Sequence, residues 1–540
     1  MRSMTGTVFE MFAETANAHA SHPFLIVPAR ADRDWHPQGV EYSYGETLAQ
    51  VERLRDLYAA TGYGHGHRVS ILLENRPEFF FHYLALNALG VCIVPINPDY
   101  RHDEIAYLLD HSEAELAVVL PHRMADVAKA AIECTEPLPV VNAHALPPRL
   151  RKPSSAAPRS GQPSLDSECT LLYTSGTTGR PKGCILSNLY TLNAGETYCA
   201  HGGLLQIRQG QERFYNPLPL FHINHLNIMS TAAMQTANAL VLPERFSPSR
   251  WWHEVSSQDV TIIHYLGIVA PMLLNQPAGP ADRDHKVRFG VGAGIEPQLH
   301  AVFEQRFGFS MIEVWGMTET GRITADSHEP RMIGTRAFGR PFTGLEARVV
   351  DDADQNVAIG KDGELILRHS AENPRHGFFS GYLKNETATE EAWRGGWFHT
   401  GDVVRQDASG MLFFVDRKKH IIRRAGENIA AAEIEAVLQA HDAVAQVAVV
   451  AAPDELREEE VMACIVPMPG TAPDAALAGA LFELCNARLA YFKAPGWVLF
   501  LDKLPTTGTQ KVQKTQIFAP GEDPRQRPGI IDLRARKRRG

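Results

Sequence analysis

The sequence predicts an α/β fold built on doubly wound sheets, and three observations carry that prediction. Short apolar runs alternate with segments of helical periodicity, polar glycine-containing turns follow several of the runs, and 540 residues are too many for one ordinary core. In chain order, residues 7–20 place Val8, Phe9, Met11, Phe12 and Ala16 at helical spacing, which predicts an amphipathic opening helix. Residues 68–73, 91–95 and 116–120 read as buried strands, with helices over 78–89 and 102–111 between them. Strands alternating with helices imply a parallel sheet. From 145 to 168 the chain turns to Pro, Ser, Arg and Gly without hydrophobic periodicity, which predicts a linker or surface loop. Strand-like runs return at 260–266 and 287–294, and residues 431–440 place Ile434, Val437 and Leu438 on one helix face.

The bulk chemistry excludes several classes. Against 62 acidic residues stand 53 basic ones, a net charge of −9, which argues against general nucleic-acid binding. The seven cysteines are scattered and never spaced Cys-x-x-Cys, so neither a disulfide framework nor a zinc ribbon is expected. No window reaches the roughly 18 apolar residues of a membrane span, and the N-terminus lacks a basic-then-apolar secretion pattern. A cytoplasmic setting follows as the expectation. The basic run at 534–539 reads as a solvated, frayed terminus.

The densest chemical signal is Leu171-Leu-Tyr-Thr-Ser-Gly-Thr-Thr-Gly-Arg-Pro-Lys-Gly183. Thr174, Ser175, Thr177 and Thr178 supply hydroxyls, Gly176 and Gly179 let the backbone approach an anion, and Lys182 supplies charge. Flanking apolar strands set it apart from a flexible surface loop. Gly176 followed by four residues reaches Pro181, so the Walker pattern fails. Gly290-x-Gly292 imitates a dinucleotide fingerprint, but Ile295 stands where the third glycine belongs.

Four more stretches carry candidate chemistry. Trp315-Gly-Met-Thr-Glu-Thr-Gly321 ends a strand in a polar turn, where Thr318 can donate to phosphate and Glu319 is a hard oxygen ligand for a cation carrying phosphate. Gly395-Gly-Trp-Phe-His-Thr-Gly-Asp402 places a carboxylate after a glycine turn, suited to a vicinal diol. Residues 413–422 read as strand, charged break and strand, followed by Arg423-Arg-Ala-Gly-Glu-Asn-Ile429. Leu504-Pro-Thr-Thr-Gly-Thr-Gln-Lys-Val-Gln-Lys514 offers lysines in a loop, and a lysine there can place a point charge where negative charge accumulates. His222 and His225 are weak as a metal pair without further ligands.

In order and across nearly the whole chain, these stretches closely resemble the signature motifs of the adenylate-forming superfamily, which includes acyl-CoA synthetases, luciferases of the firefly type and the adenylation domains of peptide synthetases. The resemblance implies a large N-terminal domain of mixed sheets, residues 1–418, and a small mobile α+β C-terminal domain, residues 419–540. It implies ATP, Mg²⁺ and coenzyme A as cofactors and a small carboxylic acid as substrate. Carried over residue by residue, Thr174 to Gly179 and Lys182 hold phosphate, Thr318 contacts the α-phosphate and Glu319 binds magnesium. Trp315 stands where the family usually has a tyrosine against adenine. Asp402 and Arg417 hold ribose, Lys419 is the hinge, Gly426 borders the pantetheine tunnel, and Lys511 is the catalytic lysine. Here Gln510 replaces the usual preceding glycine and His420 a usual aspartate, and Lys514 remains an alternative to Lys511. Gly292, Gly294 and His222 belong to the acyl-pocket segments, with His222 open between pocket wall and core. The Arg-Arg-x-Gly-Glu-Asn form most resembles crotonobetaine/carnitine-type ligases.

The expected reaction is two half-reactions at one site, acid plus ATP to acyl-adenylate and then CoA displacing AMP. One rival is an adenylating enzyme that loads a carrier protein, and another is a noncatalytic nucleotide-binding protein. Apolar pocket segments lean towards aryl or medium aliphatic monoacids, and a homodimer is left open.

Overall fold

The computed structural model describes residues 6–174, 180–267, 269–295, 297–342, 344–417, 421–505, 512, 514, 517–519 and 521–538. The chain divides into two compact units, one of Met1–Pro98, Leu109–Leu172 and Gly183–Asp416, the other of Asp99–Leu108, Tyr173–Lys182 and Arg417–Gly540.

In the first unit the alternation read from the sequence becomes parallel pairing. Arg68–Leu72 lies between Cys92–Pro95 and Leu116–Val119, parallel to both, and Glu168–Thr174 and Val140–Asn142 extend this sheet on either side. An eight-stranded sheet orders Ile323–Ala325, Ser310–Gly316, Phe289–Ala293, Ile262–Leu266, Arg213–Tyr215, Ala239–Val241, Pro23–Val27 and Val40–Ser43. Its inner six are parallel, so their carboxyl ends share one edge. That edge of a parallel sheet is where ligands gather. A separate four-stranded sheet orders Glu346–Val350, Asp362–Arg368, Phe398–Gln406 and Leu412–Arg417.

Local chemistry fixes the helix starts. Thr7 accepts from the Glu10 amide while Glu10 reaches back to the Thr7 amide, a capping box that opens helix Val8–Ala18. Phe12 and Ala16 of this helix are buried, as its spacing predicts. Ser187 caps helix Asn188–Ala200 by accepting from the Tyr190 amide.

The second unit has its own core, in which helices Ala431–Gln439 and Ala475–Arg488 pack on a six-stranded sheet. Hairpin Ile421–Arg424 and Glu427–Ala430 lies at one side of that sheet. The basic tail departs from the frayed terminus expected of it. Arg534 pairs with Asp454 at 3.0 Å and lies over the Trp497 ring, and Arg536 pairs with Glu483 at 2.8 Å. Lys537 is buried against Glu460, which also pairs with Arg424 at 2.8 Å. The acidic partners stand 53 to 80 positions away in sequence, which is why a local reading of charge misses them.

Burial and the neighbouring Arg424 guanidinium push the Lys537 amine down to about 7. Lys537→Met leaves the buried Glu460 with one cation fewer. Chemical denaturation at pH 6 is expected to show a loss of about 3 kcal/mol, in the range found when one partner of a buried ion pair is removed.

Candidate active site

Strand Glu168–Thr174 leads into the glycine- and hydroxyl-rich loop and strand Lys182–Ser187 leaves it, with Leu171, Leu172, Cys184 and Leu186 buried as the flanks. Thr174 ends the first strand and Lys182 begins the second. Ser175, Gly176, Thr177, Thr178 and Gly179 lie outside the described residues.

At the carboxyl end of strand Ser310–Gly316 the structure joins two residues that the sequence separates widely. The Trp315 indole N–H donates to Asp402 Oδ2 at 2.8 Å, and both side chains are buried. Asp402 follows the glycine turn Arg394–Gly396, as its context predicts, and lies inside strand Phe398–Gln406. There His399 pairs with Ile366 and Val403 with Glu364, so residues 400–402 form a bulge. Bulges of this kind re-aim side chains beside functional sites.

Glu319 is also buried, and its Oε1 accepts from the Tyr382 hydroxyl at 2.9 Å. Tyr382 pairs across an antiparallel bridge with Cys184, on the strand that leaves the phosphate loop. Tyr190 supports the same turn from below, its hydroxyl donating to the Thr318 carbonyl at 2.6 Å. Gly321 has φ of +61°, and a Cβ there would meet the Tyr190 ring at 2.5 Å. Only glycine fits that bend. The sequence singles out Thr318 and Glu319 but neither tyrosine, because each reaches this turn from a distant element.

A third carboxylate organises the neighbouring strand ends. Glu313 accepts from the Tyr265 hydroxyl at 2.7 Å and from the amides of Gly294 at 3.0 Å and Ile295 at 3.1 Å. Gly292 pairs in register with Tyr265 on one side and Glu313 on the other. Burial outweighs these donors and pushes the Glu313 carboxyl up to about 7.

The two histidines part company. His225 opens into the π-helix Asn224–Met229, fully buried, with Nδ1 donating to the Leu218 carbonyl at 2.6 Å, and burial lowers it to about 4. His222 is half-buried beside Phe221, 4.4 Å between ring centroids. Among the described residues no cluster of three or more His, Cys, Asp or Glu could hold a metal by itself.

In the second unit Ala425 and Gly426 carry φ of +49° and +87° at the tip of the 421–430 hairpin, the signature of a two-residue primed turn. Arg417 ends strand Leu412–Arg417. Lys514 pairs with Glu435 at 2.7 Å. Lys419, His420, Gln510 and Lys511 lie outside the described residues. The seven cysteines are all free thiols, and among the described residues no helix is long and apolar enough to cross a membrane.

Parallel strand ends carrying a glycine- and hydroxyl-rich loop and a Thr-Glu turn, with a buried aspartate brought in from a second sheet, fit the class of AMP-binding enzymes. The family of AMP-binding enzymes matches residues 12–383, and its C-terminal domain matches 433–511. The sulfoacetate–CoA ligase of Cupriavidus necator is 30% identical over 522 residues, 95% of this chain and 97% of that one. A crotonobetaine/carnitine–CoA ligase of Proteus mirabilis is 29% identical over 88% of this chain and 93% of its own. Among solved structures, a double mutant of o-succinylbenzoate CoA synthetase from Bacillus subtilis, bound with a product analogue, superposes with a TM-score of 0.81 at 26% identity, covering 95% of this chain and 98% of that one. The chain therefore belongs to the AMP-binding enzyme family and is an AMP-forming acid–CoA ligase.

The Glu313 carboxyl supplies a pH prediction. Because its folded pKa of about 7 lies above the ordinary 4.5, the folded chain holds a proton across this window that the unfolded chain releases. Its contribution to stability is full below about pH 4.5 and falls as pH rises through about 7. Thermal unfolding from pH 5 to 8 should show a decline that is shallower in Glu313→Gln, and equal slopes would reject the assignment.

Proposed function

We propose that this ligase activates its acid by the attack of a carboxylate oxygen on the α-phosphorus of ATP, with the bond to pyrophosphate breaking. The CoA thiolate then attacks the acyl carbon, and AMP leaves with the oxygen it gained. The observation that carries the assignment of the nucleotide site is the pairing of Trp315 with Asp402 beside the Glu319–Tyr382 pair, one aromatic donor for each buried carboxylate. In this reading Thr174, Thr318, Lys182 and the 175–179 loop hold phosphate oxygens, Trp315 lines the base and Asp402 with Arg417 takes the ribose hydroxyls.

Magnesium fits this site as an ion that arrives with the nucleotide. Among the described residues Glu319 belongs to no cluster of three or more ligating side chains, and Mg²⁺ is commonly held by one or two carboxylates plus substrate phosphates. Bound there, it would neutralise phosphate charge, while Tyr382 fixes the rotamer of Glu319. Lys511 is assigned to charge stabilisation during adenylation and Gly426 to passage of the pantetheine arm. Residues 1–418 and 419–540 are taken as the two functional domains, with Lys419 as hinge. Seven free thiols support a reducing, cytoplasmic setting.

The acid is a small carboxylic acid, and the sulfoacetate and carnitine-type relatives support a polar one over the plain monoacid suggested by the pocket's apolar segments. ATP–pyrophosphate exchange over a panel of acids, followed by CoA thioester detection on the hits, tests the whole reading. Exchange and thioester formation with the same acid are expected. Exchange without thioester would transfer the assignment to a carrier-loading enzyme.

Two substitutions separate the assigned roles. Glu319→Gln should slow adenylation and raise the magnesium concentration needed for half-maximal rate, and an unchanged magnesium curve would remove Glu319 from that role. Lys511→Ala should cut pyrophosphate exchange roughly 10²–10³-fold, as for loss of a transition-state charge donor, while sparing thioester formation from supplied acyl-adenylate. Gly426→Leu should do the reverse. Equal loss of both half-reactions in both variants would contradict the division of labour.

A further inference from the structure

A chain of buried polar groups converges on Asn224, at the carboxyl edge of the eight-stranded sheet. Asn216, directly after strand Arg213–Tyr215, is fully buried and accepts from the Leu218 amide through Oδ1 at 3.0 Å. A backbone N–H can only donate, so the other terminus of Asn216 is its amide nitrogen. That nitrogen donates to Asn224 at 2.9 Å, which identifies the receiving atom as Oδ1. The same Oδ1 meets His264 Nδ1 at 2.9 Å, so Nδ1 carries the proton. Burial lowers the His264 imidazole to about 3, leaving it neutral, so Nε2 is an acceptor, and the Tyr198 hydroxyl donates to it at 3.1 Å. Every link has one direction.

The consequence falls on the far side of Asn224. With Oδ1 bound twice, Nδ2 is locked facing away, and it meets no acceptor among the described residues. Asn216, His264 and Tyr198 are almost wholly buried, whereas Asn224 is only partly buried, at the outer end of the relay. Asn224 also begins the π-helix Asn224–Met229, a rare turn that concentrates at functional sites.

Position connects this donor to the reaction. His264 lies on strand Ile262–Leu266, and strand Phe289–Ala293 alone separates that strand from Ser310–Gly316, whose end carries Trp315. Two strand spacings are about 10 Å. Asn216 follows one strand of this sheet and the Thr318–Glu319 turn follows another, so the donor belongs to the same sheet edge as that turn.

We propose that Asn224 is a specificity-determining residue whose pre-oriented amide binds a second hydrogen-bond acceptor, an oxygen at the far end of the acid from the carboxylate being activated. The substrate class is a short carboxylic acid carrying such an oxygen, and a plain hydrocarbon acid leaves the amide unsatisfied. This inference rests on the ligase reading and sharpens its substrate. A fixed polar group discriminates strongly because the analogue lacking the partner atom strands a desolvated donor.

The test uses the whole enzyme and matched acids of equal length, one plain, one ending in a neutral carbonyl or hydroxyl, and one ending in a sulfonate or second carboxylate. The readout is kcat/KM for ATP–pyrophosphate exchange. Wild type should prefer an acceptor-bearing acid over the plain one by at least about tenfold, and the neutral and anionic arms show which oxygen the site takes. Asn224→Leu should erase that ratio chiefly through KM. Asn224→Asp, which turns donors into acceptors at constant size, should invert it. Tyr198→Phe should weaken it by loosening the relay. Thermal shift with AMP confirms that each variant folds, and Asn224→Ser replaces any that does not. A wild-type preference for the plain acid, or a ratio unchanged in Asn224→Leu and Asn224→Asp, overturns the inference while leaving the ligase intact. Wild type that adenylates no acid overturns the ligase reading and the inference together.

Discussion

A carboxylate removed from water must find donors, and this requirement shapes the edge of the sheet where the reaction is assigned. Three of the acidic side chains buried in this part of the first unit each take an aromatic donor. Tyr265 serves Glu313, Tyr382 serves Glu319 and Trp315 serves Asp402. Hydrogen bonds to a charged group contribute about 1.5–3 kcal/mol each, enough to offset part of the desolvation, though at Glu313 burial still outweighs them and raises the carboxyl to about 7. Aromatic donors suit the task because their apolar rings pack in the core while one polar atom points at the acid. The carboxylates are thereby held in fixed directions at little entropic cost when a ligand arrives.

The strand ends explain why these groups can meet. In a parallel sheet all carboxyl ends open on one side, so Tyr265, Gly292 and Glu313 occupy three successive strands at the same level, with Trp315 two residues further along the last of them. Asp402 reaches the group from a different sheet by means of a bulge that turns residues 400–402 out of regular pairing. The relay of Tyr198, His264, Asn216 and Asn224 applies the same logic to neutral groups. Each polar atom inside is used, and the unused one is left facing outward.

Much of this organisation was legible in the residues themselves. The alternation of strand and helix across 68–120 announced a parallel sheet, and the phosphate loop, the Thr-Glu turn and Asp402 each carried a local pattern of residue types. What stayed hidden was partnership at a distance. Nothing near Glu319 points to Tyr382, which lies 63 positions away, and nothing near Asp402 points to Trp315, 87 positions away. The glycine turn before Asp402 is present at Arg394–Gly396, whereas the bulge at 400–402 comes from pairing with strand Asp362–Arg368, which no local pattern announces. The basic tail follows the same rule, since five cations in six positions look solvated by themselves, while three of them pair with the distant Glu460, Asp454 and Glu483.

The central claim is that one acid oxygen becomes part of AMP. An acid labelled with ¹⁸O in its carboxylate, turned over with ATP and CoA, tests this directly by mass spectrometry of the nucleotide product. The account predicts AMP carrying one ¹⁸O atom and unlabelled pyrophosphate. Unlabelled AMP, or ADP with the label in orthophosphate, would contradict it.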